Sequence, residues 1–352
     1  MRWADHELYW GRPLKSILCC FDNKTLEFEY HHLVSSNITF IDKDFEQKTK
    51  KFVRFKDYLA FFRSQNIILD NKKREQFIVD QLNRIAKKEN LKIHFNSNLL
   101  NEVTNIVEKP NIIKCRFNKR FLEIPDDILV TTMQVHQKYF PTFDSRDNLT
   151  NNFFLVADNK DSKGLIKIGN ENVVEARLND AKFFWDKNKT QNLVKGISNL
   201  KKLSYFEGLG SYFEKIQRLR KLGALISDEL LISKEKVEIA SSICKVDLTS
   251  DLVNEFPELQ GVMGGHFAKS QGFDNDICLA IREHYLPIGP ETKTPKKPYS
   301  ITLAMSDKLD TLTGFFAINL KPTSSKDPFA LRRSAIGLIR LIVENKLEIK
   351  LK

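Results

Sequence analysis

The sequence predicts a multidomain chain in which an α+β N-terminal region is followed by an all-α region. Three observations carry that expectation. Strand-type alternation and hairpin signals lie before residue 190, whereas beyond it apolar residues recur every three or four positions. The 352 residues also exceed the ~100–200 expected of one domain. Finally, 41% hydrophobic and 29% charged residues provide enough apolar material for more than one core.

The elements follow in order. Residues 16–30, SILCCFDNKTLEFEY, combine an apolar run, an Asp-Asn turn signal and alternating Leu26, Phe28 and Tyr30, a hairpin pattern. REQFIVDQLNRIAKK, residues 74–88, spaces Phe77, Ile78, Leu82 and Ile85 for one helix face. IIKCRFNKRFLEIP, residues 112–125, reads as a second hairpin turning near Asn118 and Lys119. Residues 128–144 read as a strand or short helix entering a turn, and residues 151–158, NNFFLVAD, as a strand. Helical patterns then cover residues 173–189, 212–231, 234–253, 301–320 and 328–342, and the second of these aligns Phe213, Ile216, Leu219, Leu222 and Ile226. The Pro- and Lys-rich residues 287–298 predict an exposed loop. The domains expected are therefore residues 1–190 (α+β, part of a larger N-terminal region), residues 191–320 (helical) and residues 321–352, which open a following helical or linker region.

Composition narrows the function. No apolar run reaches the ~18 residues of a membrane span, and the first six residues carry no apolar signal core, so the expected compartment is the cytoplasm. The five cysteines (Cys19, Cys20, Cys115, Cys244 and Cys278) form no C-x-x-C pair and sit in apolar runs, as buried small hydrophobes do. Net charge is +11, and residues 43–88 hold 13 Lys or Arg against 6 Asp or Glu. Such a basic segment suits a polyanion, although a chain rich in Lys, Asn and Ile carries positive charge from composition alone.

No nucleotide loop, G-x-S-x-G or His-Glu-x-x-His is present. His31 and His32 fall within a strand pattern and so face opposite sides. Asp247 and Asp251 stand one helical turn apart within 234–253 and face the same way. With Glu255, His266, His284 and Asp307 they lie in patterns that resemble the successive helices of HD-type phosphohydrolases. The dyad position, however, is Lys245-Val246-Asp247, and a cation there opposes a metal. An HD-like helical scaffold without metal, with Asp247 and Asp307 as degenerate metal positions, is the first reading, and a metal-dependent phosphohydrolase using Asp247, His266, His284 and Asp307 the alternative. A polar knot at residues 321–327 precedes Ala-Leu-Arg-Arg. Pro328 fits a first helical turn with Asp327 or Ser325 as cap, and the helix amides with Lys326, Arg332 and Arg333 could hold a phosphate. Asp–Arg pairing that pins two helices is the competing reading.

Eight stretches in register carry a resemblance: MRWADHELYWGRP, PDDILVTTMQVHQKYFP, GNENVVEARLNDAKFFW, YFEGLGSYFEKIQRL, CKVDLTSDLVNEFPELQGVMG, HYLP, SDKLDTL and KPTSSKDPFALRR. Together they resemble the β subunit of the bacterial two-subunit glycyl-tRNA synthetase. The resemblance implies a tRNA-binding subunit with an HD-like helical domain and no catalytic residues of its own. It implies α2β2 assembly with an α subunit that charges tRNA(Gly) using ATP and Mg2+, so that this chain needs no cofactor itself. Family members extend beyond both ends of this sequence, which is therefore expected to be partial; a split-gene remnant without tRNA affinity is a further alternative. The family's Gly-His-Arg after an SxNxT-like stretch is missing from SSNITFIDKDF, residues 35–45.

Overall fold

The computed structural model describes residues 1–3, 5–11, 14–43, 46–323 and 326–349, which mix helix and strand and divide into two compact units. The first comprises Met1–Lys114 with Phe154–Leu165, the second Cys115–Phe153 with Ile166–Lys352.

The first unit begins with short strands: β1 Ile17–Leu18, β2 Cys20–Phe21, β3 Lys24–Thr25, β4 Glu29–Tyr30, β5 Leu33–Ser36, β6 Ile38–Lys43 and β7 Glu46–Lys51. The expected hairpin forms between β2 and β3, and its turn residues Asp22 and Asn23 take φ of 46° and 59°. Two consecutive left-handed residues match the twist of antiparallel strands, and Asp and Asn tolerate that conformation better than most side chains. Leu26 and Phe28 do not continue this strand. A second hairpin joins β4 to β5, with His31 (φ 52°) and His32 as its turn. The two histidines are thus turn residues and not a strand pair; His32 stacks on His6 with ring centroids 3.6 Å apart. β1 lies parallel to β5, and β6 pairs antiparallel with β7.

Helices α1 Phe55–Ser64, α2 Asn71–Lys88 and α3 Ser97–Ile106 follow. Asp70 caps α2 by accepting the Lys73 N–H at 3.0 Å. The α2 stripe buries Ile78 and Leu82 fully but leaves Phe77 38% exposed, because the buried face is completed by Arg74 and Ala86 instead. The Arg74 guanidinium donates to the Thr104 carbonyl at 2.7 Å and to the Asn71 side chain at 2.6 Å. One cation of the basic segment is therefore a strut, while Lys72, Lys73, Arg84, Lys87 and Lys88 remain exposed.

Strand β8 Asn111–Arg116 does not turn back on itself. Asn118 accepts the Arg120 N–H at 3.0 Å and starts a 3-10 turn that buries Phe121, so β8 finds its neighbour in β10 Leu149–Ala157, with β9 Phe140–Phe143 on the other side of β10. Between these strands, residues 128–136 are helical: α4 Asp126–Thr131 runs into a π turn at Thr132–His136.

Helix α5 Leu165–Asn188 covers the first long helical pattern. Helix α6 Leu193–Gly196 and the small hairpin β11 Ser204–Phe206 and β12 Gly210–Ser211 lead to α7 Tyr212–Glu229. Ser211 and Glu214 form a capping box at the start of α7, whose stripe buries Ile216, Leu219 and Ile226. Residues 234–253 are not one helix. Helix α8 Lys234–Ile243 ends at Cys244, a 3-10 turn spans Val246–Thr249, and Ser250 caps α9 Asp251–Glu255 with its hydroxyl. Helices α10 Val262–Ser270, α11 Asn275–Glu283, α12 Pro298–Ala317 and α13 Leu331–Glu344 complete the unit. α7, α12 and α13 share a core of Ile226, Ile301, Ala304, Met305, Leu338 and Leu341. The 287–298 segment is a loop but not a wholly exposed one: Thr294 and Pro295 are buried, and the Arg340 guanidinium donates to the Gly289 and Thr292 carbonyls at 2.9 and 3.0 Å. Cys115, Cys244 and Cys278 are buried, whereas Cys19 and Cys20 are only partly so. No helix among the described residues is long and apolar enough to cross a membrane.

Candidate functional site

The second unit places Asp307, His284 and Tyr285 around one buried ammonium. Lys245 follows the end of α8 and is 1% exposed. Its Nζ lies 2.9 Å from Asp307 Oδ1 and 2.8 Å from His284 Nε2, and 3.8 Å from the centre of the Tyr285 ring. Nδ1 of His284 is 2.6 Å from the Ile281 carbonyl, which can only accept, so Nδ1 carries the proton and Nε2 offers its lone pair to Lys245. Burial, and next the Lys245 charge, push the His284 pKa down to about 3. Burial alone would depress Lys245, but the Asp307 carboxylate together with smaller contributions from its neighbours holds the ammonium above its ordinary value. Asp307 in turn lies well below the usual carboxylate range, because Lys215 and Lys245 together overcome its own burial.

Lys215, on α7, extends this cluster. Its Nζ is 3.3 Å from Asp307 and 2.9 Å from Asp310, and Arg218 Nε reaches Asp310 at 2.5 Å. The cause is a matched spacing: Lys215 and Arg218 stand three apart on α7, facing Asp307 and Asp310 three apart on α12. Sequence reading picked out Lys245 and Asp307 but missed Lys215, Arg218 and Asp310, for which this paired i, i+3 pattern was the available signal.

Asp247 and Asp251 do not face together. Asp247 lies in the turn after α8 and is buried; its Oδ2 accepts the Gly261 and Gly264 N–H groups at 2.5 and 3.1 Å, at the start of α10. Burial pushes its pKa up to about 6, and the two amide hydrogen bonds oppose that rise. Asp251 opens α9, half-exposed, and pairs with Lys187 at 2.8 Å. The reason is the break at residues 244–250, which rotates α9 away from α8. His266 belongs to another group, 2.8 Å from Asp127, whose other oxygen meets Arg282 at 2.9 Å. Of the four residues of the phosphohydrolase alternative, Asp247 and His266 are bound to other partners, and the Lys245 ammonium fills the space between His284 and Asp307. Among the described residues, no group of three His, Cys, Asp or Glu could hold a metal ion.

The polar knot is organised by Asp327. Helix α13 begins at Leu331 and not at Pro328, since Ala330 before it has φ 54°. The Asp327 carboxylate accepts the Leu331 and Arg332 N–H groups at 2.8 and 2.9 Å, so the first amides of the helix are already engaged and do not await a phosphate. The Arg332 guanidinium donates to the Thr323 carbonyl, closing the knot, and Phe329 stacks on Phe315 with centroids 4.6 Å apart. Ser325, the other cap candidate, lies outside the described residues. Lys326 and Arg333 are exposed.

Beside the Lys245 cluster is a cleft of about 300 Å³ lined by Arg282, Tyr285, Asp307, Lys308 and Arg333 among others. Lys308 is 6% exposed and donates to the Tyr285 carbonyl at 3.0 Å. Burial pulls its pKa down to about 8. No sequence signal marked Lys308, which reads as one more lysine of a helix.

The profile of a family described as "Glycyl-tRNA synthetase beta subunit" matches residues 1–352. The chain belongs to this family. It is 36% identical over 353 residues to the glycine–tRNA ligase beta subunit of Thermodesulfovibrio yellowstonii, covering 100% of this chain and 52% of that protein. The beta subunit of Rickettsia akari is 36% identical over 352 residues, again all of this chain and 52% of the relative. That of Listeria monocytogenes is 38% identical over 349 residues, 98% of this chain and 51% of the relative. The chain thus spans about half the length of the curated relatives it matches, and the Lys245 cluster is a feature of a partial member of the synthetase β-subunit family.

Proposed function

We propose that this chain is part of a glycine–tRNA ligase β subunit that binds tRNA(Gly) and an α subunit, and that it supports glycylation carried out on the α subunit. The observation that carries this reading is family membership along the whole of residues 1–352. In the same reading the complex is α2β2, ATP and Mg2+ act at the α subunit, this chain holds no cofactor, and the compartment is the cytoplasm.

Residues 1–190 are read as an α+β domain, residues 191–320 as an HD-like helical domain and residues 321–352 as the start of the next region. The succession of helices from α7 to α12 supports the middle assignment. Lys326, Arg332 and Arg333 are the proposed phosphate contacts, with the basic segment of residues 43–88 as a second surface. Because Asp327 occupies the amides of α13, the contact would run through side chains and not through the helix terminus. The buried ammonium of Lys245 counts against a phosphohydrolase metal between His284 and Asp307.

The deciding experiment is glycylation of tRNA(Gly) by the α subunit of the same organism, with and without this chain. Charging raised above the α-only level supports the reading. Charging that stays at that level, together with no preference for tRNA(Gly) in a band-shift series over several salt concentrations, refutes it in favour of a remnant.

A further inference from the structure

We propose that the cleft between α12, α13 and the loop after α11 is a binding site for a phosphate monoester, with Lys308 and Arg333 as its anion-binding groups. The first observation is uncompensated charge. Lys308 Nζ is nearly buried, spends one N–H on the Tyr285 carbonyl, and has no carboxylate within 4.0 Å among the described residues. An ammonium withdrawn from water without a counter-ion is unfavourable, and an anion in the cleft offsets that penalty. Arg333 lines the same cleft and likewise has no ion pair among the described residues. The two carboxylates of the lining do not supply the missing charge, since Asp307 is held by Lys215 and Lys245 and Glu258 lies 2.9 Å from His136.

The second observation is shape. The Lys308 stem packs on Gly337, where an added Cβ would lie 2.8 Å from Lys308 Cε, and Arg333 stands one turn earlier on the same face of α13. Two helices therefore present their cations to one space. A smaller cavity of about 120 Å³ adjoins it, sharing Pro287, Ile288 and Arg333 and walled by Pro290 and Ile336. A dianionic phosphate in the larger cleft would leave this annex beside it, an apolar wall on which a ring of the esterified molecule, such as a base, could pack. Two sources offer this chemistry: a free mononucleotide, and the 5′-terminal phosphate of an RNA. The site shares Arg333 with the tRNA contacts proposed above, but binding of a free nucleotide or a short RNA end does not require tRNA charging.

Calorimetric titration of the chain with AMP, with adenosine and with inorganic phosphate tests the site, alongside a short RNA bearing a 5′-phosphate or a 5′-hydroxyl. AMP or the 5′-phosphorylated RNA is expected to bind saturably, and adenosine and the 5′-hydroxyl RNA much more weakly. Arg333→Gln and Lys308→Gln should each weaken binding by about tenfold or more, while Lys182→Gln, at a lysine paired with Glu123 and Asp186, should not. Tighter binding of the phosphorylated RNA than of AMP assigns the RNA end as the source; the reverse order assigns the free nucleotide. If none of the phosphates binds saturably, or if Arg333→Gln binds as well as the unsubstituted chain, the proposal is overturned. Arg333 is exposed, so this variant decides the matter even where Lys308→Gln fails to fold.

Discussion

Lys245 is held by a charge on one side and a lone pair on the other, and each partner has been tuned to it. Replacing it by methionine leaves Asp307 with Lys215 alone and His284 Nε2 without a donor. Breaking one partner of a buried ionic cluster costs about 3–5 kcal/mol, so Lys245→Met should lower the urea midpoint strongly; an unchanged midpoint would show that the ammonium contributes no net stability. The neutral His284 gives a second, pH-dependent prediction. Unfolded, the imidazole titrates near 6.5, but folded it resists protonation until about 3, so its contribution is complete above pH 6.5 and is lost as pH falls toward 3. Asp247 acts with the opposite sign: its folded pKa of about 6 lies above the unfolded 3.8, so it weakens the fold as pH rises between those values. Each slope is about 1.4 kcal/mol per pH unit where it applies. They oppose one another between about pH 4 and 6, and His284→Gln should uncover a stability that declines with pH there. Unfolding across a pH series measures this, and a rise through that window would contradict it. In the sequence Lys245 was legible as a cation where the HD pattern has histidine. That His284 would stay neutral was not, because its state depends on the Lys245 amine, brought in from outside its own helix.

At the scale of elements, long amphipathic stripes such as those of α2 and α7 were legible because periodicity and burial largely coincide. The helix breaks were not. Apolar spacing continues through residues 244–250, and only Ser250, as a cap, and the return of backbone N–H groups to Asp247 reveal the interruption. The same competition displaced the start of α13 from Pro328 to Leu331, where Asp327 reaches the free amides. Asp327→Ala should cost about 1–2 kcal/mol as a lost cap, seen as faster amide exchange at Leu331 and Arg332; unchanged protection would mean that water serves equally well. Gly261 is a tight backbone point beside the cluster. It has φ 79°, and an added Cβ would meet Tyr285 at 2.9 Å and His284 at 3.1 Å. Gly261→Ala should therefore lose about 2 kcal/mol or more through combined backbone strain and overpacking, and a melting temperature equal to that of the unsubstituted chain would refute this.

For the molecule as a whole, the charge of +11 matters only if it is arranged. If Lys326, Arg332 and Arg333 contact tRNA phosphates, replacing all three by alanine should reduce the slope of log K against log salt by about 2–3, since each neutralised phosphate contributes roughly 0.7–0.9. Filter binding from about 50 to 200 mM salt measures it, and a slope equal to that of the unsubstituted chain would move the contact elsewhere. The family was legible in eight motifs; two of the three cuts between the compact units fall inside β8 and β10 and the third at the start of α5. The first unit takes in Phe154–Leu165 after the chain has already left it at Lys114. A ribosome making this protein must therefore deliver Cys115–Phe153 of the second unit before the first can close. Until then β8 waits without β10, its open edge free to pair with whatever strand comes near.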